Sequence, residues 1–237
     1  GDVYKRQRHI VVSLIIMMAY LMSLVLYLMT LSSDVLDAIL SLEPSSITQF
    51  PYILSAIALI VLSGLFVLRN MEKSWYWIVS IAMIIAMSMS GHAWSQSVPL
   101  WSIILRTLHL IGISLWLGAL SYLLISVFTR KKDAVDLLRE ILFKVNAAAV
   151  AIIIISGVLM SIDQTKILSI WTNMQTWTVF LLIKVFGTLI MMLLGLLQTT
   201  RALNKRNRVN KSSLIIEVLI GILLILVGVI MSQISIP

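Results

Sequence analysis

Arg106-Thr107-Leu108-His109-Leu110-Ile111-Gly112-Ile113-Ser114-Leu115-Trp116-Leu117-Gly118 lies inside an apolar run that extends from 100 to 128. A hydrocarbon core of about 30 Å takes about 20 apolar residues as a helix, so this run is long enough to cross a bilayer. Arg106 and His109 then stand where ionisable side chains are costly, and such residues are functional-site candidates by default. A second histidine of the chain's three lies just upstream, in Ser90-Gly91-His92-Ala93-Trp94.

The rest of the chain has the same character. Of 237 residues 60% are hydrophobic and 12% charged, well below the roughly 25% charged content of a soluble domain, and the mean hydropathy is +1.04. Glycine and proline are sparse and no repeat is visible, so residues 10–237 read as a single transmembrane helical domain behind a leader at 1–9. The leader is set aside as non-native or cytoplasmic. The net charge of +8 sits in short connections between apolar runs and reads as a topology signal, with the lipid bilayer and not nucleic acid as partner. There is no cysteine, which excludes disulfides, thiolate metal sites and a cysteine nucleophile. No nucleotide loop, Ser-His-Asp set or HExxH pattern occurs, and the chain is not expected to be an enzyme.

Seven runs predict an all-α, polytopic bundle with spans at 10–31, 52–69, 75–90, 100–128, 141–161, 176–200 and 213–234. Pro51 and Pro99 stand at helix-start positions, where a missing N–H does no harm. Alternating crossings put Lys5, Arg6 and Arg8, then Arg69 and Lys73, then Arg130, Lys131, Lys132 and Arg139, and finally Arg201, Lys205, Arg206, Arg208 and Lys211 on one side. The other side holds Lys166 with Asp34, Asp37, Glu43 and Asp163. The positive-inside rule then places the N-terminus in the cytoplasm and the C-terminus outside. His92 falls at the outer interface, and His109 about 13 Å deeper at 1.5 Å per residue.

Arg106, His109, Gly112 or Ile113, and Trp116 recur at steps of three and four, forming one polar face of the fourth span. Gly112 and Gly118, with Ser114 and Ala119 nearby, are small enough to admit a neighbouring helix. Read structurally, His109 hydrogen-bonds that neighbour and Arg106 snorkels to headgroups; read functionally, the face holds a ligand. Met83, Met87 and Met89 precede His92, and thioether with imidazole is the soft set that selects Cu(I). Most of the thirteen methionines are plain apolar filling. Lys184, deep in the sixth span, must face the bundle, find a partner or snorkel. Glu217 lies about one turn into the last span, where Arg201, Arg208 or Lys211 could pair with it, and Asn146 and Ser156-Gly157 read as packing positions.

Ser90-Gly91-His92-Ala93, Leu108-His109-Leu110 with Leu115-Trp116-Leu117-Gly118, Phe143 with Ser156-Gly157-Val158, and Leu181-Leu182-Ile183-Lys184-Val185 together resemble the copper resistance protein D family (CopD and PcoD) of bacterial inner-membrane proteins. The resemblance covers about 90–190. It implies copper transport into the cytoplasm, His92 and His109 as copper-handling positions, and a periplasmic copper-binding protein as partner. The family is drawn with eight spans, so the resemblance also implies that one N-terminal span and any ligand on it are missing here.

Two rival readings stay open. The histidines could be axial ligands of haem b in an electron-transfer protein, although their depths differ. Alternatively the chain is a non-transporting scaffold that receives copper from a periplasmic chaperone.

Overall fold

A computed structural model describes residues 2–41, 51–66, 73–89, 98–129, 132–164, 176–203 and 211–231. Helix is the only regular structure among them: α1 (Asp2–Leu28), α2 (Ser33–Leu40), α3 (Pro51–Leu65), α4 (Lys73–Ser88), α5 (Pro99–Thr129), α6 (Lys132–Gln164), α7 (Thr176–Leu203) and α8 (Lys211–Met231). Both prolines open helices as expected. The short α2 lies in what the hydropathy pattern leaves as a connection. Its Asp34 sits in the first turn, where a carboxylate favours the positive end of the helix dipole, and Ile39 is buried.

Among the described residues five helices are long and apolar enough to cross a membrane: α1 over Ile10–Leu28, α5 over its full length, α6 over Ile141–Ile162, α7 over Thr178–Leu197, and α8. The chain is a multi-pass helical membrane protein. The second and third predicted spans correspond to shorter apolar helices, Pro51–Leu65 and Ser74–Ser88; 15 residues rise only about 22 Å. Large apolar side chains such as Ile15, Met22, Leu193 and Leu226 are exposed along the spans. Water would penalise such a surface, whereas lipid does not.

The chain divides into two compact units, Gly1–Thr107 and Leu108–Pro237, the boundary falling within α5. In the first, α3 packs against α1 on one side and α4 on the other. Tyr52 near the start of α3 hydrogen-bonds Ser23 of α1 and meets the Tyr27 ring at 4.5 Å between centroids. Ser55 donates to the Ala86 carbonyl of α4 at 2.5 Å, and Thr107 meets Ser88 at 2.7 Å. Interhelical hydrogen bonds of this kind average about 0.6 kcal/mol in a membrane and reach about 1.7. Ser55→Ala should therefore lower stability by about 1 kcal/mol, readable as an earlier unfolding transition in detergent.

In the second unit α7 packs along α8. Leu120 and Leu123 of α5, Met191 of α7 and Leu214 of α8 form a buried cluster that Leu142 of α6 joins from its edge. Lys211, at the start of α8, lies 4.9 Å over the Phe128 ring near the end of α5, a cation–π contact.

Candidate metal site around His109

The site grows from the antiparallel meeting of α5 and α6. Gly112 makes the approach possible. A Cβ there would lie 2.8 Å from Ile153 Cγ1, 3.2 Å from Ile152 Cγ2 and 3.1 Å from the Ala149 carbonyl oxygen. Gly118, expected to serve the same purpose, has nothing within 4 Å of its Cβ position. Six residues carry it about a third of a turn away from the Gly112 face.

One turn before Gly112, half-buried His109 reaches across to α6. Its Nδ1 lies 3.1 Å from the Ile153 carbonyl oxygen and 3.0 Å from Ser156 Oγ. Ser156 is itself buried and donates back along its helix to the Ile152 carbonyl at 2.5 Å. Gly157 lies beside the ring, where a Cβ would stand 3.4 Å from His109 Cε1, an ordinary van der Waals contact. The reading of His109 as a residue that bonds a neighbouring helix agrees with these contacts.

Two further predicted residues also lean on glycines. The Trp116 ring covers Gly221 of α8, with Cη2 2.6 Å and Cζ3 2.9 Å from where a Cβ would stand. Lys184 faces α8, its Nζ 3.4 Å from the corresponding point on Gly228. Gly221 and Gly228 are seven residues apart, two turns on one face of α8. That seven-residue spacing is the sequence signal for this glycine face. Buried Glu217 lies on the same face, one turn before Gly221.

Met83 and Met87 occupy the predicted i, i+4 positions on α4, Met83 half-buried and Met87 exposed, and Met89 sits in the turn that ends the helix. These methionines and half-buried Arg106 belong to the first unit, while His109, Trp116 and Lys184 belong to the second. His92 lies outside the described residues, and so does any grouping built around it. Among the described residues there is no group of three or more His, Cys, Asp or Glu side chains able to hold a metal. Two buried polar atoms, Asn146 Oδ1 and Thr178 Oγ1, have no hydrogen-bond partner among the described residues. Such atoms are uncommon in folded proteins and mark places where water or an ion can bind.

No protein-family model matches the chain, and neither a curated protein nor a solved structure matches it.

Proposed function

We propose that this chain is the core of a copper permease of the bacterial inner membrane, related to the copper resistance protein D family. In this reading α3 and α4 are spans two and three of seven, the N-terminus is cytoplasmic and the C-terminus lies outside. Copper released by a periplasmic copper-binding protein is captured near His92, where Met83, Met87 and Met89 supply thioethers. It passes to His109 and leaves inward. Arg106 and Lys184 shape the field and disfavour a second cation, and Trp116 is a further cavity residue. Staged ligands suit a conductor, because each site must bind the ion and also release it.

The observation that carries the reading is His109. It is an imidazole placed within an apolar 31-residue helix and steadied through Nδ1 by the neighbouring helix. Ring nitrogens of metal-binding histidines are steadied in this way, the second nitrogen being the ligand. The chain has no cysteine, so soft donors must come from histidine and methionine.

The test is copper flux into proteoliposomes that hold the purified chain and an internal copper-sensitive dye. Flux above protein-free vesicles is expected. Flux only in the presence of a periplasmic copper donor would favour the scaffold reading, and a Soret band in protein expressed with haem supply would favour the electron-transfer reading.

A further inference from the structure

Residues 29–40 follow the first spanning stretch and hold none of the residues assigned to the copper path. The chain leaves α1 in a tight turn, with the Thr30 N–H donating to the Tyr27 carbonyl at 3.0 Å and the Leu31 N–H to the Leu28 carbonyl at 3.2 Å. Ser32 is then extended, at φ −67° and ψ 157°, so α2 begins as a separate helix and does not continue α1. From Leu28, where the apolar stretch of α1 ends, to Ser33, where α2 begins, the chain reaches at most about 17 Å. The start of α2 is therefore tied close to the level at which α1 leaves the hydrocarbon. Side chains three and four apart share a row on a helix, and α2 has three such rows with three different exposures. Val35 is half-buried and Ile39 buried; Asp34 and Asp37 are both exposed; Leu36 is half-buried and Leu40 is 65% exposed. At about 100° per residue these rows lie on three sides of the helix.

We propose that α2 is an interfacial helix lying at the boundary between membrane and water, with the Asp34–Asp37 row in water, the Val35–Ile39 row turned to the protein and the Leu36–Leu40 row against lipid. Hydrocarbon alone would penalise the two carboxylates. Water alone would leave Leu40 without the gain of leaving it. Only the boundary satisfies both rows, and short helices divided in this way lie in the plane of the interface. The leucine row meets lipid because the lipid-facing surface of α1 runs up to α2. Met18, Met22, Val25 and Leu26 are exposed along the spanning stretch, and Met29, four residues before α2, is 76% exposed. The placement at a boundary stands on α1 and α2 themselves; that the boundary is the outer one rests on the permease reading with its cytoplasmic N-terminus.

The chain has no cysteine, so single-cysteine variants of the full-length protein carry no competing thiol. A nitroxide label is placed at Asp37→Cys, at Leu40→Cys and, as a reference inside the span, at Met18→Cys, all exposed positions. The protein is held in vesicles of phosphatidylethanolamine and phosphatidylglycerol. Collision of the label with oxygen, which concentrates in lipid, is compared with collision with a water-soluble nickel chelate. The oxygen-to-nickel ratio at 40 should exceed that at 37 severalfold and fall below that at 18. Equal ratios at 37 and 40 overturn the proposal, because α2 then lies wholly in water if both are low and wholly in lipid if both are high. A membrane-impermeant maleimide gives a second reading on the unlabelled variants: Asp37→Cys should react severalfold faster than Leu40→Cys in the vesicles, and equal rates overturn the proposal. In intact spheroplasts the same reagent should reach Asp37→Cys from outside. Reaction only after the cells are opened, with the contrast between 37 and 40 kept, leaves the interfacial helix standing and removes the topology of the permease reading, so the two failures are distinct.

Discussion

Cells carrying His92→Ala together with His109→Ala should accumulate no more copper than cells lacking the protein. With no cysteine in the chain, removing both imidazoles leaves thioethers, carboxylates and amides as donors. Methionine by itself offers copper a neutral and weak set, and the hard oxygen donors do not suit Cu(I). The two single variants should differ. His109 is seated by α6 inside an apolar helix, so its loss takes away a ligand whose orientation is already specified. The measure is copper content per cell at matched protein levels in the membrane, and wild-type accumulation by the double variant removes the copper reading.

Gly112→Leu should separate α5 from α6 and disable His109 without touching it. Even the first added carbon would stand 3.1 Å from a backbone carbonyl oxygen and 2.8 Å from a branched side chain. A carbonyl cannot swing aside as the end of a leucine can, so the helices must move. Overpacking costs about 1–3 kcal/mol, and Ile153 lies both against Gly112 and behind the His109 hydrogen bond. Gly112→Ala should be milder, because part of its clash is offset by the better helix propensity of alanine, about 0.8–1 kcal/mol. Gly118→Ala is the control. Nothing lies within 4 Å of its Cβ position, so only the propensity gain remains and stability should rise. Thermal unfolding in one detergent reads all three, and equal midpoints for Gly112→Leu and wild type would show that the close approach carries no stability.

Much of the fold is legible in one dimension. Apolar run length is a sum over consecutive residues, so α1, α5, α6, α7 and α8 are found where hydropathy puts them, and Pro51 and Pro99 mark two helix starts. Helical register is equally local, which is why Arg106, His109, Gly112 and Trp116 can be placed on one face of α5. The short α2 escaped because eight residues with two aspartates leave no hydropathy signal of a span.

The partners of that face are another matter. Nothing in the order of residues distinguishes Gly112, which admits α6, from Gly118, which meets nothing, until the neighbouring helix is in place. Ser156 is 47 residues from His109 in sequence and 3.0 Å away in space. Its sequence context is that of a small packing residue, and only the antiparallel pairing of α5 and α6 makes it a hydrogen-bond partner of the imidazole. The Trp116 ring likewise takes its place from Gly221 of α8, and Lys184 lies beside Gly228.

Sequence by itself thus determined that this protein is helical, lies in a membrane, and carries a histidine on the polar side of a spanning helix. Transfer free energy and helical period depend on each residue and its near neighbours. Tertiary structure alone decided which carbonyl and hydroxyl hold that histidine and which of its nitrogens they hold. Hydrogen bonds between helices depend on approach distances that only close packing sets.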